Sequence, residues 1–302
     1  MSEAIDINLL RDGDRRYLAR AISLVENHDP AGTALLSKLP FDRQVPVLGI
    51  TGPPGAGKSS LVNALVYQLL KENKKVGIVA IDPTSPFNYG SLLGDRIRMS
   101  EHFNNPDVFI RSLATRGSLG GLSARIFEIT DLLKHAGFDL VIIETVGVGQ
   151  SEVEIAGLAD TTAVVLVPEA GDEVQTLKSG LMEVADMFIV NKADREGADI
   201  FVRNLRALVM DKPESEWKIP VLKTVATTQA GAEELWKQVQ LHNALNTRGT
   251  RKLQLVTEKA WQLIMQHEMQ KVDRDLLVKR IGEASTEKGF NLYSFLNHFY
   301  FS

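Results

Sequence analysis

Short apolar runs separated by amphipathic stretches organise most of this chain. Runs at about 45–50, 76–81, 107–113, 139–143, 162–167, 186–190 and 220–225 read as strands. Several are continuous rather than alternating, as in Ala163-Val164-Val165-Leu166-Val167, the texture of a mostly parallel sheet covered on both faces. Upstream, Leu10, Tyr17, Leu18, Ala21, Leu24 and Val25 recur at helical spacing and predict an amphipathic helix over 5–27, broken by Asp29-Pro30-Ala31-Gly32. Near residue 246 the pattern changes. A polar stretch, Asn246 to Thr250, gives way to a long charged helical segment from about 251 to 283. An aromatic-rich end follows, with Phe290, Tyr293, Phe295, Phe299, Tyr300 and Phe301. The expected organisation is a helical extension over 1–40, an α/β domain over 41–246 and a helical arm over 247–302.

The sharpest chemical signal sits between the first strand and the next helix. Gly52-Pro53-Pro54-Gly55-Ala56-Gly57-Lys58-Ser59 fits the phosphate-loop pattern G-x-x-x-x-G-K-[ST]. Val45–Ile50 supplies the strand before it, and Leu61, Val62, Leu65, Val66 and Leu69 the helix after it. Glycines let backbone N–H groups close around phosphate oxygens, and a helix N-terminus adds favourable partial charge. Lys58 is expected to reach the outer phosphates, Ser59 to ligate magnesium, and Ser60 to join the nucleotide contacts. The fold class that follows is a P-loop NTPase: an α/β, mostly parallel sheet with helices on both faces.

Asn191-Lys192-Ala193-Asp194 follows the run Met187–Val190 and fits the N-K-x-D pattern of guanine-binding proteins. A carboxylate at Asp194 can accept from both guanine N1–H and the 2-amino group, whereas adenine offers an acceptor at N1 and no 2-amino group. The aliphatic stem of Lys192 can lie over the base, and the Asn191 amide can brace the loop. Thr224-Val225-Ala226-Thr227 is either an ordinary turn or a loop presenting the Ala226 N–H to guanine O6.

Acids cluster at strand ends. Glu144-x-x-Gly147 has the spacing of the Asp-x-x-Gly switch of many GTPases, with a longer acid, and Asp82 and Asp95 follow another strand. Each alone suits a cap or turn. Together, beside a phosphate loop, Ser59, Asp82, Asp95 and Glu144 are the expected magnesium ligands, and Lys58, Asp95, Glu144 and Gly147 the expected catalytic group. Arg96, Arg98, Arg111 and Arg116 are surface residues or a transition-state cation, and Gln150 is displaced from the usual water-orienting position. No catalytic base is assigned.

Composition narrows the class. Apolar residues make up 44% of the 302, charged residues 24%, and the formal net charge is −4, which gives no electrostatic footprint for nucleic acid. No apolar run approaches the roughly 20 residues that span a bilayer, and the charged first 20 residues lack a signal-peptide core, so no membrane association and a cytoplasmic location are expected. The absence of cysteine removes disulfides and thiolate metal sites.

Over roughly residues 15–245 the chain resembles the MeaB/ArgK-type GTPases. The resemblance is carried by Ala19–Glu26, Gly49–Ser59, Ile81–Phe87, Leu93–Met99, Thr115–Leu122 and Glu144–Glu152. It implies a GTP-binding and GTP-hydrolysing chaperone that assembles, protects or reactivates an adenosylcobalamin-dependent acyl-CoA mutase, methylmalonyl-CoA mutase foremost. It also implies a homodimer formed through the C-terminal helical arm. Lys58 and Ser59 fall on the family's phosphate loop, Asp82, Asp95 and Glu144 on its magnesium and switch acids, and Asn191, Lys192 and Asp194 on its base loop. Pro168–Lys178 looks like an additional switch that contacts the mutase, with Asp172 and Lys178 as its coupling residues. The aromatic end after Gly289 departs from the family's tail. Three other functions compete, the third a non-enzymatic nucleotide-gated scaffold that partner-stimulated turnover would separate from the first reading. A metallochaperone for a nickel enzyme usually needs His-rich or Cys ligands, and the six histidines here are scattered. A kinase of a transport system is poorly suited by the guanine loop and Glu144-x-x-Gly147.

Overall fold

The computed structural model describes residues 7–40, 45–82, 99–114, 125–145, 155–169, 181–210, 217–246, 250–269, 271–286 and 289–300. Seven strands, β1 (Val47–Thr51), β2 (Val76–Asp82), β3 (Val108–Ala114), β4 (Leu140–Glu144), β5 (Thr161–Leu166), β6 (Met187–Val190) and β7 (Val221–Lys223), form one sheet in the order β3-β2-β4-β1-β5-β6-β7. Every pairing is parallel. The chain runs outward from β1 to β2 and β3, returns to β4, and continues on the other side of β1 through β5 to β7. Such a reversal opens a crevice at the carboxyl end of the central strand, where ligands of open α/β sheets bind.

The all-apolar strands are explained by cover on both faces. Along β1, Val47 packs into one core while Leu48 and Ile50 pack into another, as the two-residue period requires. The first core takes residues from α2 (Arg15–Glu26), α3 (Pro30–Leu36) and α5 (Ile126–His135). The second takes Leu61, Val62, Leu65 and Leu69 of α4 (Lys58–Lys71) and Leu235, Trp236 and Val239 of α8 (Ala232–Asn246). Val164, Leu166, Phe188 and Val190 meet Phe201, Val202 and Leu205 of α7 (Ala198–Met210). A one-turn helix, α6 (Leu181–Val184), precedes β6.

Two helices expected to be continuous are interrupted. The 5–27 stretch divides into α1 (Ile7–Arg11) and α2, because Gly13 adopts a left-handed φ of 79° and the Asp14 side chain accepts from Tyr17 N–H to start a new helix. The 251–283 stretch divides into α9 (Thr250–Met269) and α10 (Arg274–Ser285), where Asp273 caps the second helix by accepting from Leu276 N–H. In both, an Asp cap overrides apolar periodicity.

At the amino end of the strands lies a buried polar cluster remote from the crevice. His242 of α8 contacts Thr161 Oγ1 through Nδ1 (2.8 Å) and faces Asp186 Oδ1 through Nε2 (3.5 Å). Asp186 Oδ2 accepts from Thr162 N–H at 2.8 Å, and Trp217 Nε1 donates to the Asp186 carbonyl at 2.7 Å. The cluster ties α8 to the starts of β5 and β6.

The molecule comprises two compact units, Met1–Leu255 and Val256–Ser302. Within the second, Phe295 of α11 (Leu292–Phe299) is buried among Phe290, Phe299 and Tyr300, and the Arg280 guanidinium lies 5.5 Å from the centre of the Phe299 ring. Trp261, Ile264, Met265 and Met269 are exposed at helical spacing along α9.

Candidate functional site: a nucleotide cradle at the carboxyl end of the sheet

The phosphate loop leaves β1 at the switch point and enters α4. Its glycines are required by geometry at two places. Gly52 has φ 138°, and a Cβ there would lie 2.1 Å from the Val165 carbonyl oxygen of the adjacent strand. Gly57 has φ 84°, and a Cβ there would meet Asn191 Nδ2 at 2.4 Å. Gly55 also has a left-handed φ, 77°, but nothing lies within 4 Å of its would-be Cβ. Gly52→Ala is therefore expected to lower unfolding free energy by about 2–4 kcal/mol, strain and backbone clash together, and Gly55→Ala by about 1 kcal/mol from strain alone. Denaturant titration of both variants checks the contrast.

Gly57 caps α4 without a side-chain hydrogen bond, which leaves the first amides of the helix to whatever the loop encloses. Lys58 is buried, and its Nζ donates to the carbonyls of Gly52 (2.8 Å) and Pro53 (3.0 Å), folding back across the loop. Pro54 and Ala56 complete the loop, with Ala56 fully buried. Ser59 Oγ donates to Glu144 Oε1 at 2.6 Å, and both side chains are buried. The strand-end carboxylate of β4 and the helix-start hydroxyl of α4 thus converge, although 85 residues separate them. Thr145 Oγ1 reaches Thr51 Oγ1 at 3.0 Å and joins the same two strand ends. Asp82 closes β2, two residues past Ala80, which pairs with Glu144. Asp95, Gly147, Asp172 and Lys178 lie outside the described residues, as do Arg96, Arg98, Arg116 and Gln150. Arg111 is engaged by Glu26 of α2 and holds that helix to the sheet edge.

The second loop is bound to the first through one side chain. Asn191 Nδ2 donates to the Ala56 carbonyl at 2.9 Å, while Asn191 Oδ1 accepts from Thr224 Oγ1 (3.1 Å) and from Ala226 N–H (3.2 Å). A single amide spans the phosphate loop, the end of β6 and the loop after β7. Lys192 has a left-handed φ of 54°, uncommon for a side chain of its size, and its Nζ donates to the Gly55 carbonyl at 2.8 Å. That bend turns the chain so that Asp194 and Arg195 line a pocket of about 160 Å³ with Gly57, Ser60, Asn191 and Ala226. Thr224 and Arg195 are additions to the residues expected from the motifs. Arg195 directly follows the base-loop tetrapeptide, and that adjacency was the available signal.

The sequence profile described as methylmalonyl-CoA mutase-associated GTPase MeaB matches residues 18–283. The chain belongs to the MeaB family. A relative from Pyrococcus horikoshii, provisionally named a GTPase, is 51% identical over 241 residues, 78% of this chain and 76% of its own length. The GTPase ArgK of Escherichia coli is 39% identical over 246 residues, 78% of this chain and 74% of its own. The mitochondrial methylmalonic aciduria type A homolog of Caenorhabditis elegans is 43% identical over 61% of this chain and half of its own length. Among solved structures, a protein described as a LAO/AO transport system kinase superposes with a TM-score of 0.72 at 28% identity, covering 97% of this chain and 94% of that one. The match to Helicobacter pylori HypB, TM-score 0.51 at 20% identity, shows the shared P-loop fold alone. MeaB membership implies nucleotide binding, and the cradle makes this crevice the candidate site for it. No described helix is long and apolar enough to cross a membrane.

Proposed function

We propose that this MeaB-family protein hydrolyses GTP with magnesium and uses the nucleotide cycle to serve an adenosylcobalamin-dependent acyl-CoA mutase, with methylmalonyl-CoA mutase the first candidate. The single observation that carries the nucleotide half is Asn191, which braces the guanine-type loop directly against the phosphate loop. The mutase half is supported by the family description and by the worm relative.

On this reading Gly52–Gly57 and Ser60 enclose the phosphates, and Lys58 exchanges its loop carbonyls for phosphate oxygens. Asp194 reads the guanine edge. Ala226 N–H, now donating to Asn191 Oδ1, shares itself with guanine O6. Ser59 and Glu144 are hard oxygen donors in contact at the mouth of the loop and fit magnesium, with Asp82 and Asp95 as further ligands. The ion would supply neutralisation of phosphate charge. Gly147 is assigned to the γ-phosphate side. The exposed α9 stripe of Trp261, Ile264, Met265 and Met269 supports a homodimer through the C-terminal arm. A cytoplasmic setting suits a partner of this kind.

Asp172 and Lys178 are proposed as the residues that couple nucleotide state to the mutase. Saturating mutase should raise steady-state GTP turnover of the wild type. Asp172→Ala and Lys178→Ala should lose most of that stimulation while basal turnover stays within about twofold, since coupling depends on differential contacts and the basal rate on the cradle. Equal stimulation of all three proteins would remove these residues from coupling. No stimulation by any cobalamin-dependent acyl-CoA mutase would sink the chaperone role. Transfer of phosphate to a protein instead of release into solution would favour the kinase reading suggested by the name of the superposed structure.

A further inference from the structure

Arg195 lines the base pocket, yet neither loop motif assigns it a task. It is placed with some care by its surroundings. The left-handed Lys192 and a turn hydrogen bond from Arg195 N–H to the Lys192 carbonyl (3.0 Å) fold the chain back toward the pocket. At its tip, Arg195 Nη1 donates to Glu169 Oε1. Glu169 lies three residues beyond β5, on the loop next to the end of β6, so the pair links neighbouring strand ends.

A guanine with its Watson–Crick edge on Asp194 has two open faces. The aliphatic stem of Lys192, anchored to Gly55, offers cover for one. The β7 loop contributes only Val225, Ala226 and Thr227 to the lining, with no ring or long chain among them. Among the described lining residues, the planar guanidinium beside Asp194 suits the second face, since such groups stack on aromatic faces and are weakly hydrated.

We propose that Arg195 stacks on the bound purine as a nucleotide-binding residue, and that Glu169 is a positioning residue that holds the guanidinium ready for it. This rests on the guanine-nucleotide reading above. The Glu169 carboxyl is held below its usual range chiefly by the Arg195 hydrogen bond, with further help from its own backbone N–H and from the charges of Arg195 and Lys192, so the pair stays ionised near neutrality. Both side chains are about half exposed, 50% and 51%, and a pair of that kind contributes little to folding. Its value lies in pre-organising a contact made only when the base is bound.

Calorimetry with GDP and GTP on wild type, Arg195→Gln, Arg195→Lys, Glu169→Gln and the Glu169→Gln/Arg195→Gln double variant tests this. Arg195→Gln should weaken GDP and GTP alike by about tenfold, because the base is common to both. Arg195→Lys, which keeps the charge and loses the plane, should stay weakened by about fivefold. Glu169→Gln should cost about threefold alone and nothing further in the double variant, the signature of residues acting as a unit. Nucleotide-free thermal unfolding should coincide for all five proteins, which separates positioning from folding. Wild-type affinity in Arg195→Gln, full rescue by lysine, or a GTP loss far exceeding the GDP loss would each overturn the proposal, the last by moving the contact to the phosphates. A wild type that fails to bind GDP would overturn the guanine reading, and this inference with it.

Discussion

Lys58→Ala is expected to lower GTP turnover by at least about a hundredfold, the scale on which a preorganised charge at a developing anion acts. Lys58 is buried at the base of the loop, with its ammonium on two loop carbonyls. Those carbonyls keep the cation desolvated but satisfied at the place where phosphate oxygens would enter. Removing it would leave the loop amides and the proposed magnesium ligands to offset phosphate repulsion alone. GDP should still bind, more weakly, because Asp194 and the helix amides remain. Single-turnover assays with enzyme in excess separate the chemical step from binding. Turnover within about threefold of wild type would show that the cation is not aimed at the reacting phosphate.

Asp194→Asn should lose about a hundredfold in GDP affinity, the equivalent of two hydrogen bonds to a charged acceptor. The variant should gain xanthosine diphosphate by a similar factor. On the proposed reading the carboxylate would accept from guanine N1–H and from the 2-amino group; an amide cannot accept both, but it can donate to the 2-oxygen of xanthine. The exchange is specific because Asn191 and Lys192, which hold the loop, are untouched. Competition between GDP and xanthosine diphosphate on the two proteins measures it. An unchanged preference would remove Asp194 from the base edge.

Much of the fold was legible in the sequence for one physical reason. Strands covered on both faces read as short, largely apolar runs, and all seven predicted runs are strands in the structure, within two residues at their ends, although the edge strands β3 and β7 carry Arg111 and Lys223. The helices were less legible, because apolar periodicity does not register a change of axis. Asp14 and Asp273 start new helices inside periodic stretches, and their capping bonds are local events that periodicity misses. The cradle divides in the same way. Glycines at Gly52 and Gly57 announce close backbone approach, and the partners are now identified as Val165 and Asn191. The bridging role of Asn191, the Thr224 hydroxyl behind it and the Glu169–Arg195 pair depend on which strand ends are neighbours. That adjacency is a property of strand order, which a linear pattern does not carry.

The most direct measurement is calorimetric titration of the wild-type protein with GDP and with ADP in the presence of magnesium. A site in which Asp194 reads the purine edge and Asn191 locks that loop onto the phosphate cradle predicts GDP binding at least about a hundredfold tighter than ADP. Comparable affinities for the two nucleotides would contradict it.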